Sequence, residues 1–330
     1  MAGTVFNYPA VTTLPSNGLT IRGVPYPQVH SGDVFFVGNA ASLTQRGQVV
    51  GADTNPGTFN RPLATLGAAL GKCTANRGDI IFVKPGHIET LTAAGGITQS
   101  TAGVSVIGLG TYNTRPKFIL GTIATTTYLV SGAHSFISNL WLQANFSNVA
   151  TAFNVTAVGC TIDNCRFSNA GTNLDFLACI TASGAANTAD GLTVTNCNWT
   201  TVDTDDFGLI NIANSLTDLT VIGNHMVTTS AQAVAASCAN LINCAAGAVL
   251  INADIGWNRV QNLMTQGELL ISNNGSTSTG FCYNNYVQHA DVTGTHDLGA
   301  DGTGLSLFQN LSVSTNILSG FVLPAVDVNN

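Results

Sequence analysis

Leu192-Thr-Val-Thr-Asn-Cys-Asn-Trp199 is followed, one loop later, by Leu219-Thr-Val-Ile-Gly-Asn-His-Met226, and the two octets align position for position. The same octet can be laid without gaps on Ser135–Leu142, Cys160–Phe167, Ala253–Val260, Gly280–Val287 and Leu311–Leu318. Its third position reads Ile137, Ile162, Val194, Val221, Ile255, Cys282 and Val313, and its eighth reads Leu142, Phe167, Trp199, Met226, Val260, Val287 and Leu318. Both columns suit a dry interior. The fifth or sixth position always supplies an asparagine: Asn139, Asn164, Asn196, Asn224, Asn258, Asn284 with Asn285, and Asn316. Asparagine tolerates the left-handed backbone of a tight corner, and stacked asparagine side chains can hydrogen-bond from one repeat to the next.

A shorter apolar segment precedes each octet, as in Tyr128-Leu-Val, Phe153-Asn-Val, Leu209-Ile-Asn-Ile, Leu241-Ile-Asn-Cys and Leu305-Ser-Leu. Each period therefore holds at least two strands. The third-column spacings are 25, 32, 27, 34, 27 and 31 residues, too long for a hairpin and suited to a coil of two or three strands joined by uneven loops. One coil cannot bury its own inward row, whereas coils stacked about 4.8 Å apart complete both the backbone ladder and the core. The predicted fold is all-β, a right-handed parallel β-helix. It divides into an extended N-terminal arm over 1–32, an N-terminal cap with the first coils over 33–127, and regular coils over 128–330.

Composition agrees with a long, narrow core. Hydrophobic residues make up 45% of the 330 and charged residues only 8%, so the polar surface is mainly Thr, Asn and Ser. The opening Met1-Ala-Gly-Thr-Val-Phe lacks the basic start and apolar run of a secretory leader, which points to synthesis in the cytoplasm. The eight cysteines (Cys73, Cys160, Cys165, Cys179, Cys197, Cys238, Cys244 and Cys282) lie in apolar stretches, as buried thiols do. Cys165 and Cys197 share the sixth column, which stacks them either as a thiol ladder or as a bonded pair.

Residues 1–117 carry eight Lys or Arg against four acids, net +4, and residues 118–330 carry two, Arg166 and Arg259, against thirteen, net −11. So acidic a body argues against nucleic acid as a partner, because phosphate neutralisation needs clustered cations. No run is long enough to span a membrane.

Upstream of the octets, Asp33-Val-Phe-Phe-Val reads as a strand, Arg61–Lys72 as a short helix with Pro62 in its first turn, and Asp79-Ile-Ile-Phe-Val-Lys-Pro-Gly as a second strand. The helix is placed to cover the open end of the core. Residues 1–32, with Asn7-Tyr-Pro and Gly23-Val-Pro-Tyr-Pro, have no period and read as an extended arm.

Pro62-Leu-Ala-Thr-Leu-Gly-Ala-Ala-Leu70, Gly78-Asp-Ile-Ile-Phe-Val-Lys-Pro-Gly86 and Val104-Ser-Val-Ile-Gly-Leu-Gly110, followed by Asn-rich coils, resemble the pectin-lyase-like right-handed β-helix superfamily over residues 33 to about 320. The resemblance implies the fold. For function it implies a choice between polysaccharide lyases or glycoside hydrolases and bacteriophage tailspike, fibre or capsid-surface proteins. It also implies a homotrimer.

Cleavage of a polysaccharide calls for paired carboxylates or a metal-binding carboxylate cluster. The candidates are Asp203, Asp205 and Asp206 in Val202-Asp-Thr-Asp-Asp-Phe-Gly208, with Asp190 in Asn187-Thr-Ala-Asp-Gly191 one coil earlier. Their order resembles the Asn-Thr-Asp and Asp-Asp motifs of polygalacturonase-type glycosidases, but the Gly-His-Gly and Arg-Ile-Lys motifs of that family have no counterpart downstream. His225 and Arg259 fall on the octet and do not replace them, and His87, His134, His289 and His296 lack metal-ligand spacing. The reading is therefore no catalytic residue, no cofactor and no metal. Trp141, Trp199, Trp257 and Tyr286 are candidates for stacking on sugars, although Trp199 falls in an inward column.

The resulting expectation is a non-enzymatic virion structural protein of the capsid-decoration type. It would be synthesised in the host cytoplasm, displayed on the particle surface, and anchored through its arm to proteins such as the major capsid protein. The alternative is a tailspike that binds or cleaves a host surface glycan.

Overall fold

The computed structural model describes residues 20–21, 24–25, 32–42, 47–171, 173–201, 208–228, 240–262, 270–272, 277–289 and 304–314. Three parallel sheets run the length of the molecule, of ten, nine and seven strands, and the chain visits them in rotation. Seven successive coils contribute a strand to the third sheet, then the first, then the second. The coil Phe153–Val155, Thr161–Asp163 and Arg166–Asn169 is representative. An all-β parallel solenoid is thus the fold, with three strands per coil.

The columns of the octet become files of side chains. Ile137 pairs with Ile162, Ile162 with Val194, Val194 with Val221, Val221 with Ile255 and Ile255 with Cys282 along the first sheet, all fully buried. The eighth-column residues from Leu142 to Val287 form the matching buried file of the second sheet. Between them, the fifth column turns the corner. Asn139, Asn164, Asn196, Gly223, Trp257, Asn284 and Gln309 all have positive φ, between 49° and 71°. Asparagine and glycine meet this demand at little cost, whereas a tryptophan is unusual there.

The last coil departs from the predicted register. Cys282 pairs with Leu307 and Tyr286 with Leu311, so the seventh octet is Leu305–Ser312, six residues before the predicted one. Leu305-Ser-Leu is the first-sheet strand of that coil and not the segment preceding it. Asn316 and Leu318 lie outside the described residues, and Asn310 stands in the asparagine column instead.

The predicted helix over Arg61–Lys72 shrinks to Leu66–Leu70, capped by the Thr65 hydroxyl, which accepts from the Ala68 N–H at 3.2 Å. Pro62 and Leu63 are extended instead, because Leu63 bonds to the strand Val34–Val37: its N–H donates to the Phe36 carbonyl at 2.9 Å. The helix packs on Ile97–Gln99 and sinks Leu66, Ala69 and Leu70 into the continuous core. Near the same end, Arg77 bridges Asp33 and Asp79 at 2.8 and 2.7 Å. On the outer face of the first sheet, Phe36, Ile80, Phe82, Ile107 and Leu109 form a separate apolar cluster beneath Phe59. Of the predicted arm, the structure describes the short pair Thr20–Ile21 and Val24–Pro25. No helix among the described residues is long and apolar enough to cross a membrane.

Candidate functional site

Of the acids singled out in the sequence, only Asp190 falls among the described residues. Asp203, Asp205 and Asp206 lie outside the described residues. Asp190 works within the fold, its carboxylate accepting from the Thr217 N–H at 2.8 Å and its carbonyl accepting from Gly159 at 2.7 Å. His87 is fully buried against Glu89 at 3.1 Å, His134 holds a corner at φ 55°, and His296 and the His289 side chain are not described. Among the described residues no three His, Cys, Asp or Glu side chains gather as metal ligands.

The asparagine column separates into two structures. Asn139, Asn164 and Asn196 occupy the left-handed corner itself. Asn224, Asn258, Asn285 and Asn310 sit one position later, 1% exposed, with their amides pointing into the stack. In the earlier coils that inner position holds Leu140, Cys165 and Cys197. Cys165 and Cys197 are both unbonded, which settles the two readings of that pair in favour of the thiol ladder, and burial together with Cys165 raises the Cys197 thiol well above its ordinary range.

A concave site does exist, on the outer face of the first sheet in the last coils. An open groove of about 510 Å³ is lined by Asp218, Thr220, Asn252, Asp254, Phe281, Tyr283 and Phe308. The strands Thr220–Ile222, Ala253–Gly256, Gly280–Tyr283 and Leu305–Phe308 lie side by side, so second-column and fourth-column side chains from successive coils converge. Tyr283 and Phe308 stack with centroids 5.3 Å apart and planes 7° from parallel, and Phe281 meets Phe308 edge-on at 6.2 Å. Phe281 and Phe308 are 54% and 42% exposed, so apolar ring surface faces solvent here.

Gly256 makes room for this platform. A β-carbon there would sit 2.6 Å from Cζ of Tyr283, so the ring lies directly on the backbone. The Tyr283 hydroxyl donates to the Asp254 carboxylate, and partial burial followed by that bond raises its pKa. Asp218 accepts from Asn252 Nδ2 at 2.6 Å. Both carboxylates are thereby oriented at the rim. Trp257, 63% exposed, projects from the adjoining corner at φ 59°. Backbone strain of this kind in a bulky residue is concentrated at functional sites.

Of the predicted sugar-stacking residues, Trp199 is core, Trp141 lies between two cations on the second sheet, Tyr286 lies beside Arg259 on the same sheet, and Trp257 is exposed at a corner outside the groove lining. Sequence reasoning missed Asp254, Phe281, Tyr283 and Phe308. Their signal was the outward second and fourth columns, which gather Asp254, Phe281, Tyr283 and Phe308 in consecutive coils near the end.

No family model and no curated protein matches the chain. Three solved chains share its architecture. A rhamnogalacturonan lyase aligns over 84% of this chain and 87% of its own, at 12% identity and a TM-score of 0.38. The GH136 lacto-N-biosidase from Eubacterium ramulus aligns over 86% of this chain and 68% of its own, at 9% identity and a TM-score of 0.27. At such identities the likeness is one of fold. The expectation that the chain is not an enzyme is withdrawn against these findings: the chains are named as a lyase and a lacto-N-biosidase, and nothing of their activity carries over to this chain at such TM-scores.

Proposed function

We propose that the chain binds a polysaccharide in the groove of the first sheet. The observation that carries this reading is the parallel Tyr283–Phe308 stack flanked by the Asp218 and Asp254 carboxylates. Aromatic rings offer a flat apolar surface to the C–H faces of a sugar, and carboxylates accept from its hydroxyls. The lining residues come from four successive coils, which suits a chain-like ligand more than a small molecule. Paired carboxylates are also the groups that glycoside hydrolysis uses, so Asp218 and Asp254 are the residues to assay for cleavage.

The test is retention on immobilised neutral polysaccharides such as dextran, xylan and galactan. Tyr283→Ala and Phe308→Ala should each weaken retention by about tenfold or more, the loss of one stacked ring. Equal retention of the variants, or no retention of the parent protein on any of them, would sink the proposal. New reducing ends that vanish in Asp218→Asn and Asp254→Asn would add cleavage to binding.

A second reading concerns the third sheet, whose outward file Thr98, Leu129, Asn154, Thr181, Asn211 and Asn243 carries no charge. We propose that copies of the chain associate through this face, as in the trimeric, particle-surface setting that the superfamily resemblance implies. The sedimentation mass in solution checks it.

A further inference from the structure

The second sheet carries a file that the groove does not use. Strand pairing places Lys117, Trp141, Arg166, Asn198, His225, Arg259 and Tyr286 in one outward column, one residue per coil. Arg166 and Arg259 are the only cations in residues 118–330, where thirteen acids are available to scatter among them. Both fall in this single file.

Its first end is a built cluster. The Trp141 ring is fixed by a hydrogen bond from Nε1 to the Ser168 hydroxyl at 2.8 Å, with Lys117 Nζ 4.2 Å and Arg166 Cζ 4.4 Å from its centroid. Cations normally repel at such range, and the indole between them supplies the attraction that holds them. Arg115 joins from the preceding corner, donating to Asn164 Oδ1 at 3.2 Å and leaving a buried Nε without a partner. Burial, together with the neighbouring Arg166 charge, lowers the Arg115 pKa. The ion pairs among the described residues join Arg77 to Asp33 and Asp79, and His87 to Glu89, so none of Arg115, Lys117, Arg166 and Arg259 has a carboxylate of a described residue within 4.0 Å. Further along, Asn198 meets His225 at 3.2 Å and Arg259 lies 5.7 Å from the Tyr286 ring.

We infer that this file is a binding track for an acidic polysaccharide, with Arg115, Lys117 and Arg166 around Trp141 receiving one carboxylate or sulfate and Arg259 another. The occupant, a glycan, rests on the reading of the groove. The spacing favours a glycan over a nucleic acid. Lys117 and Arg166 are two coils apart, about 10 Å, and Arg166 and Arg259 three, about 14 Å, on the strand repeat. A duplex presents a charge every ~1.7 Å, which an acidic body with cations this sparse would repel. A glycan with an anionic group on every second or third sugar matches the sparse file.

The experiment compares three probes with one backbone, namely dextran, carboxymethyl dextran and dextran sulfate, together with inorganic polyphosphate, each against the full chain at low and high salt. Both charged dextrans should bind about tenfold tighter than dextran at low salt, and the advantage should shrink at high salt as charges are screened. Arg166→Gln and Lys117→Gln should each remove most of that advantage and leave dextran binding unchanged. Tyr283→Ala should weaken all three dextrans in proportion. Unchanged thermal melting of the two cation variants shows that they fold.

Charged and neutral dextran binding alike, or charged binding that survives both cation variants, overturns the track. Polyphosphate binding more tightly than either charged dextran overturns the glycan as occupant. Loss of dextran binding alone, with the charged probes still held through Arg166, would count against the groove and leave the track standing.

Discussion

Asn224 Nδ2 donates to Oδ1 of Asn258 at 3.0 Å, and the Asn224 backbone N–H donates to the same oxygen at 2.9 Å. The relation repeats one coil on, where Asn258 gives both donors to Asn285 Oδ1, and again between Asn285 and Asn310. Each amide also donates backwards, Asn224 to the Val194 carbonyl, Asn258 to Val221 and Asn285 to Ile255. On Asn258 and Asn285 both Nδ2 donors and both acceptor positions of Oδ1 are filled, so a polar ladder runs through the interior.

Asn258→Ala breaks this ladder in the middle. It strands the Asn224 N–H and one of its Nδ2 protons and takes one of the two donors from Asn285 Oδ1, all in a buried setting where unmet groups cost most. The expected destabilisation is about 2–4 kcal/mol, read by urea denaturation. A cost under about 0.5 kcal/mol, the level of an ordinary surface substitution, would mean the ladder adds nothing beyond packing.

Gly256→Ala should separate the site from the fold. The new methyl would contact the Tyr283 ring, a movable side chain, so stability should fall by only about 1 kcal/mol. The ring must lift, however, and the stack on Phe308 is lost with it. Retention on neutral polysaccharide should drop as far as in Tyr283→Ala, while the melting temperature stays close to that of the parent.

Alkaline pH should destabilise the solenoid through its thiols. Burial pushes Cys244 and Cys282 from an ordinary 9.0 up to about 12. Folded thiols stay protonated while unfolded ones ionise above pH 9, so stability is flat below 9 and falls as pH rises from 9 towards 12. Each thiol contributes a slope of about 1.4 kcal/mol per pH unit in that window. Urea denaturation at pH 8, 9.5 and 11 measures the slope, and Cys244→Ala should make it shallower. A variant as steep as the parent would show that other groups carry the effect.

Much of the solenoid was legible in the chain. The alternation of Ile162, Val194, Val221 and Ile255 with polar neighbours follows from a strand's two faces, and Asn139, Asn164 and Asn196 announce a left-handed corner because few other side chains sit there at low cost. The helix was placed correctly but drawn too long, since the sequence does not reveal that Leu63 is claimed by Phe36. The final coil departs from its predicted register because Leu311–Leu318 satisfies both apolar columns, whereas the paired octet Leu305–Ser312 puts a serine in the eighth.

By itself, the sequence determined the repeat, the inward files and the corner, all consequences of local backbone geometry and burial within one coil. Only the tertiary structure decided which asparagines point inward, where the last coil falls in register, and that Asp254, Tyr283 and Phe308 meet in one groove while Lys117, Arg166 and Arg259 form one file. These are relations between coils separated by loops of unequal length. They are fixed by the hydrogen-bond pairing of one strand on the next, and no residue's own neighbours in the chain record that pairing.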